Sequence, residues 1–389
     1  MTPAAQSALS ADEALALRLR SLLLVPEAPA GSAVAAPGRD RPPSVDDVGG
    51  VVLWFGAMQA QDLASGLWSL GVRLPSLTQA DVEASLERRE ALRTWPMRGT
   101  VHLVPSRDAH WMLDVLGARP LAGAPARRAT IGLDDIDAER SVDVLGAALA
   151  GGRRLTRKQC VEALASAGID SAGQRGYHLL WYASQRGVTC IAPNVDGEQT
   201  FVLLDEWVPD PVRLDRDEAL ATIALRYFRS HGPATRQDFA GWTGLSAADT
   251  KRGIQACGSA LTVVRVGDLE MLAATQLLDP PDGRSVPDLL ALPGFDEYML
   301  GFKDRSLFMQ REHLREVVPG SNGVFRATIV GEGRVIATWK RELVGTSRVR
   351  VRVWPLRPMG AKRRRDVERR LVPFGTFLGR TVEVQWDAG

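Results

Sequence analysis

Two uncharged carboxamides, Gln59 and Gln61, bracket one small residue, Ala60, at the centre of the apolar stretch 51–74, VVLWFGAMQAQDLASGLWSLGVRL. Trp54, Phe55 and Met58 lead in, Leu63, Leu67, Trp68 and Leu70 lead out, and both flanks carry the spacing of buried helix faces. An unpaired buried amide costs about 1 to 3 kcal/mol, so a polar pair in this setting needs partners or a chemical task. A glutamine offers a carbonyl acceptor and amide donors, but it is no base at neutral pH. The chemistry open to the pair is to hold a water molecule in a reaction whose leaving group needs no proton. Residues i and i+2 of a helix point roughly 200° apart, whereas in an extended segment they face the same way. Both amides therefore meet one water only if the first helix ends near Met58. Asp62, next in line, is expected to cap the second helix, with a catalytic carboxylate as the alternative. Taken alone, such a tripeptide is more often capping or interhelical glue than catalysis.

The elements that must position these residues can be read in order. Residues 1–12 are expected to be loose, 13–25 to form a helix, and the Pro, Ala and Gly of 26–43 a mobile loop. Ser44 is expected to cap the helix that ends at the glutamines, with Asp46 and Asp47 in its first turn. After the second helix Pro75 breaks the chain, 78–89 forms a third behind a capping signal, and ALRTWPMRGTVHLVP supplies two short strands around its Pro-Met-Arg-Gly turn. Three helices and a hairpin are the order of a winged helix-turn-helix. The order recurs with helices at 134–150, 156–167 and 172–186, and again at 215–230, 235–242 and 246–256, each set closed by a hairpin. LTRKQ at 155–159 and ATRQDF at 234–239 open the second helix of their sets in similar words, so a repeat of roughly 80 residues is expected. From Leu292 the composition turns to strands, one basic helix and a closing strand, TVEVQW. The expected fold is α+β: three tandem winged-helix units at 1–133, 134–209 and 210–287, then a small C-terminal β-barrel at 288–389.

Composition sets the outer bounds. With 389 residues, 45% apolar and 24% charged, the chain is long enough for several packed units and is not disordered overall. Cys160, Cys190 and Cys257 are far apart, with no CxxC and no Cys/His cluster, so neither a disulfide framework nor a metal site is expected. No apolar run reaches the roughly 18 residues of a membrane span, and the first residues lack a basic region followed by an apolar one. A cytoplasmic, nucleoid-associated protein without membrane contact is expected. The net charge of +2 conceals an asymmetry: residues 340–370 hold twelve Lys and Arg against three acids, a local +9 that leaves −7 elsewhere. Such a concentration is the footprint of a polyanion site, or else a solvated charged face.

MQAQD with its flanks, TWPMRGTVHLVP, and LPGFDEYMLGFKDR followed by GVFRATIVGEGRVIATWK together resemble the winged-helix DNA glycosylase superfamily, which includes AlkZ-like and YcaQ-like crosslink-unhooking enzymes. The likeness spans about residues 12–386. It implies tandem winged helices with a C-terminal β-barrel, and a monofunctional glycosylase that removes N7-alkylated purines from double-stranded DNA without metal or cofactor. In the AlkZ-like branch the catalytic motif is Gln, an apolar residue, Gln, which here is Gln59, Ala60 and Gln61. The YcaQ-like branch has Asp in the second polar place, so the chain departs from it at Gln61. The resemblance also implies self-resistance in a producer of a DNA-alkylating antibiotic.

Other residues have a functional and a plain reading. Arg98, at the tip of the first hairpin, is a candidate phosphate contact or a solvated turn residue. His102 is a candidate contact with DNA or a satisfied core histidine. Lys303 and Arg305 either position phosphate or pair with Asp296, Glu297 and Asp304. Arg348, Arg350 and Arg352 share one face of RVRVRVW, with Val349, Val351 and Val353 on the other, and either line the duplex or shield a sheet edge. Trp54, Trp68 and Trp95 are expected in the core. Tandem unlike units favour a monomer over a symmetric dimer. The rival reading is a noncatalytic winged-helix regulator, and a peptide-binding module is a third.

Overall fold

Capping boxes set several of the helix starts. Thr78, Thr156 and Thr235 each accept the backbone N–H three residues on, and the side chains of Asp81, Gln159 and Asp238 return a bond to the threonine backbone. They launch the helices Gln79–Glu87, Arg157–Ser166 and Arg236–Thr243. The computed structural model describes residues 7–25, 45–278, 286–320 and 323–387. Among these, the succession of three helices and a hairpin occurs three times. The first set is Val48–Phe55, Leu63–Arg73 and Gln79–Glu87 with strands Ala91–Met97 and Thr100–Pro105. The second is Asp135–Leu149, Arg157–Ser166 and Gln174–Gln185 with strands Thr189–Val195 and Glu198–Leu203. The third is Arg216–His231, Arg236–Thr243 and Ala247–Ala256 with strands Leu261–Val266 and Leu269–Ala274.

The first two hairpins are not separate. Arg93 pairs with Ile191, which joins them into a six-stranded sheet flanked by the short strands Met58–Gln59 and Leu155–Thr156. Three helices absent from the expectation, Ala109–Leu116, Ala118–Ala122 and Ala124–Ile131, link the first set to the second. The first helix is Ala11–Ser21, and residues 7–9, expected to be loose, form a strand parallel to Leu261–Val266 with Ser7 opposite Val264. The expected loop at 26–43 and the Ser44 cap lie outside the described residues. The cap of Val48–Phe55 is Asp47, whose carboxylate accepts the Gly50 N–H at 2.6 Å.

The C-terminal strands Leu289–Leu292, Ala327–Gly331, Arg334–Val344, Arg348–Pro355 and Thr381–Trp386 lie side by side in that order. Among the described residues the first and last do not pair, so the expected barrel is an open sheet. Its apolar face is covered by a helix rather than by curling shut. On the helix Ala361–Leu378, Phe374 and Phe377 each lie 5.2 Å from Trp68, and Phe374 lies 5.1 Å from Trp339. Val349, Val351 and Val353 are fully buried, as period two requires. Their strand runs between two others, so its arginines shield no sheet edge.

One buried ion pair ties this sheet region to the glutamine segment. Arg73, at the end of Leu63–Arg73, meets Asp296 through Nη1 to Oδ2 at 2.8 Å and Nη2 to Oδ1 at 3.1 Å, with both side chains fully buried. Ser69 Oγ adds a bond to the same carboxylate at 2.8 Å, and Asp296 Oδ1 accepts the Tyr298 N–H at 2.9 Å. A planar guanidinium and a carboxylate joined twice fix direction as well as distance. Glu297, the next residue, is thereby aimed at Gln59.

Candidate active site

The Val48–Phe55 helix stops at Gly56, whose φ of 82° is open mainly to glycine, and Met58–Gln59 continue as extended chain. The helix thus ends before the glutamines, as a water shared by both amides requires. Met58 pairs with Leu103 and Gln59 with His102, and Ala60 N–H donates to Val101 O at 2.9 Å. The following helix packs closely on the tripeptide: Ala60 is buried, and a Cβ placed on Gly66 would lie 3.0 Å from the Ala60 Cβ, so Gly66 must stay without a side chain for this approach.

The two glutamines differ in what they have left to offer. Gln61 Oε1 accepts the Val101 N–H at 3.0 Å, so its carbonyl is spent on the hairpin and its amide protons remain. Gln59 is half-buried, and its Oε1 is buried with no hydrogen-bond partner among the described residues. It is the free acceptor of the pair. Asp62 stands at the N-cap position of Leu63–Arg73 but makes no side-chain cap bond. It accepts from Ser65 Oγ at 2.8 Å and lies 4.0 Å from Arg341.

The backbone of Gln59 is held from a distant part of the chain. Its N–H donates to Glu297 Oε1 at 3.0 Å, while Glu297 Oε2 accepts Trp242 Nε1 at 2.9 Å and lies 3.3 Å from His231 Nε2. Glu297 is 1% exposed, and burial alone would raise its pKa. The His231 hydrogen bond and charge, with Trp242 and the Gln59 N–H, outweigh burial and hold the carboxyl well below the usual range. His231 is itself braced by Ser230 Oγ at 2.8 Å from Nδ1 and by Tyr227 stacked at 4.6 Å. Sequence reading named Glu297 only as a partner for Lys303 or Arg305. The available signal was a pair of acids inside the apolar run LPGFDEYMLGF.

Arg98 and Gly99 form the two-residue hairpin turn, with φ of 55° and 70°. Arginine is an uncommon residue in that conformation. Its Nη2 lies 3.3 Å from His102 Nε2, and His102 Nδ1 lies 2.8 Å from Thr100 O. Nδ1 therefore carries the proton and Nε2 accepts from Arg98. His102 is fully buried with both nitrogens engaged, the arrangement of the core histidine among its two readings, and it holds Arg98. Burial first, and the Arg98 charge second, push its pKa down to about 3. An unfolded histidine takes its proton near pH 6.5, so protons favour the unfolded chain between about 6.5 and 3. Stability contributed by His102 is thus complete above 6.5 and is lost as pH falls. In urea titrations a His102→Gln variant is expected to lose less stability than the parent between pH 6.5 and 4.5, by up to about 1.4 kcal/mol per pH unit. Parallel pH profiles for the two proteins would contradict the assignment.

The remaining candidates are placed as follows. Lys303 is exposed, and its backbone N–H bonds Asp238 Oδ1 at 2.7 Å. Arg305 is half-buried, donating from Nε to Met299 O at 2.8 Å, with its guanidinium 5.1 Å from the Phe325 ring centre. Arg348 pairs with Glu383 at 2.6 Å, Arg350 with Glu342 at 3.4 Å, and Arg352 lies 4.0 Å from Glu342. Elsewhere in the basic segment Arg357 meets Glu312 at 3.1 Å and Arg363 meets Asp288 at 2.7 Å. Much of the +9 tail is thus neutralised from within. Trp54, Trp68 and Trp95 are buried, as expected.

The sequence profile of the family described as DNA glycosylase AlkZ-like matches residues 52–377. An interstrand DNA cross-link repair glycosylase of Streptomyces sahachiroi is 27% identical over 331 residues, which cover 78% of this chain and 85% of that protein. The solved structure of Streptomyces sahachiroi DNA glycosylase AlkZ superposes with a TM-score of 0.75 at 22% identity, over 98% of this chain and 100% of that one. That likeness establishes a shared mixed α and β fold, and the profile sets aside the noncatalytic regulator. With its glutamine pair inside the matched span, the chain belongs to the AlkZ-like DNA glycosylase family.

Proposed function

We propose that the protein is a monofunctional glycosylase for bulky N7-alkylguanine in double-stranded DNA, including interstrand crosslinks, and that it acts as a monomer at the nucleoid. The three helix-and-hairpin sets are taken as winged-helix units at 1–133, 134–209 and 210–287, with the open sheet and its helix at 288–389. Alkylation at N7 leaves guanine with a positive charge. When the bond from C1′ to N9 breaks, its electron pair neutralises that charge and the base departs without a general acid. A water oxygen bonds C1′ and its proton passes to solvent. What remains for the protein is positioning and electrostatics.

The unpartnered Gln59 Oε1 is the observation that carries this reading. It accepts a hydrogen bond from the attacking water and orients the water's lone pair at C1′. Gln61, with its carbonyl committed, donates from Nε2 to a sugar or phosphate oxygen. Neither group is a base, so simple uncharged adducts that need a protonated leaving group are not substrates. The likeness to an interstrand DNA cross-link repair glycosylase of Streptomyces sahachiroi supports crosslinked DNA as the substrate, and the family resemblance implies self-resistance to a DNA-alkylating natural product as its role. The test is a duplex crosslinked through guanine N7, followed on a denaturing gel. Separation of the strands with an alkali-labile abasic site is expected; an intact crosslink under binding conditions would overturn the proposal.

A further inference from the structure

A cavity of about 730 Å³ opens beside the Arg98 turn, between the Ala118–Ala122 and Ala124–Ile131 helices, the Gln174–Gln185 helix and the end of Arg236–Thr243. Its volume is that of a small-ligand pocket. Four arginines line it, Arg98, Arg119, Arg127 and Arg157, and no carboxylate does. Their partners among the described residues are uncharged. Arg98 rests on His102, Arg119 Nη1 donates to Gly244 O at 3.2 Å, and Arg127 Nη2 donates to Gln174 Oε1. The Arg157 guanidinium lies 5.5 Å from the Tyr177 ring centre. Arginines of the C-terminal segment meet carboxylates of their own chain, whereas these four do not. Glu297 acts on Arg98 through its charge without pairing with it, and cations gathered without an ion-paired carboxylate among the described residues call for an anion from outside.

The opposite wall is aromatic. Tyr177 is 38% exposed and its hydroxyl accepts Trp95 Nε1 at 3.2 Å, which holds the ring at the cavity edge. Trp181 lines the same wall, 5.1 Å from the His178 ring. His178 is 6% exposed and its Nε2 is buried without a partner among the described residues. Burial, then the charges of Arg128 and Arg127, lower its pKa to about 4, so it meets a ligand as a neutral ring. Cationic groups for a phosphodiester and rings for a base are the parts of a single-nucleotide site. Arg98 links the cavity to the glutamine segment, because it rests on His102, the strand partner of Gln59.

We propose that this cavity is a subsite for one unpaired nucleotide of the DNA beside the lesion, its phosphate on the arginines and its base against Tyr177 and Trp181. The inference rests on the reading of the protein as a glycosylase of duplex DNA. It explains how a crosslinked base that cannot itself leave the helix is exposed: a neighbour is displaced and held. The test uses fluorescence anisotropy with two unmodified duplexes that differ only by one extrahelical nucleotide. The parent protein is expected to bind the bulged duplex about tenfold more tightly. A double variant of the exposed Arg127→Ala and Arg157→Ala, and separately Tyr177→Leu, should reduce that preference below about twofold, and Tyr177→Leu should leave affinity for the paired duplex within about threefold. Equal binding of both duplexes by the parent, or equal loss on both in Tyr177→Leu, would overturn the subsite. Base release from N7-alkylguanine is scored separately on the parent protein. Release without a bulge preference rejects the subsite alone, and a bulge preference without release rejects the glycosylase reading alone.

Discussion

Replacing Gln59 by alanine is expected to slow release of N7-alkylguanine by about 100-fold to 1,000-fold while lesion-bearing duplex still binds within about threefold. The magnitude is that of removing one preorganised polar group aimed at the reacting centre. The unchanged affinity follows from what Gln59 touches. Its Oε1 has no protein partner to lose among the described residues, so truncation orphans nothing there, and the arginines proposed to meet phosphate lie elsewhere. Single-turnover kinetics under saturating enzyme separate the two quantities, because the plateau rate then reports chemistry rather than binding. A parallel loss of affinity and rate would make Gln59 a docking residue instead.

The second large effect is expected at Glu297. Its carboxylate serves the Gln59 N–H from one oxygen and Trp242 with His231 from the other. Glu297→Gln keeps the shape but leaves one acceptor oxygen, so it can satisfy Gln59 or the Trp242 and His231 pair, never both. Leaving buried hydrogen-bonding groups without their acceptor typically costs about 1 to 3 kcal/mol each. A loss of that order is expected in urea unfolding, together with a fall in the turnover rate of about tenfold or more at nearly unchanged KM. The split matters, since a merely structural role would leave turnover per folded molecule intact. Glu297→Gln that is stable and fully active would show that the carboxylate neither supports the fold nor positions Gln59.

Much of the local structure was legible in the chain. The capping signal at Thr78, the helix starts at Thr156 and Thr235, the hairpin turn with Arg98 at its tip and the alternating arginines and valines of 348–353 act over a few residues, and they appear where the spacing predicts. The extended geometry of Gln59 was legible only as a condition, because the stop at Gly56 depends on one glycine at φ 82°. What sequence could not supply is long-range. Glu297 meets a residue 238 positions away, and Arg93 joins two hairpins about 100 residues apart. The basic tail looked like the polyanion footprint because many of the acids that answer it, Asp62, Asp288, Glu312, Glu332 and Glu383, lie outside the segment 340–370. Arg119 and Arg127 passed unnoticed on helices that the reading did not anticipate, and only folding brings them beside Arg98 and Arg157.

The central claim is that a neutral carboxamide, with no ionisable base beside the sugar, is enough to direct water at a base already primed to leave. The most direct measurement is single-turnover release of free N7-alkylguanine from one duplex by the parent protein and by Gln59→Ala, at saturating enzyme across pH 6 to 9. The account predicts release by the parent at a rate nearly independent of pH and a uniformly low rate for the variant. A parent rate that rises tenfold per pH unit, or a variant as fast as the parent, would contradict it.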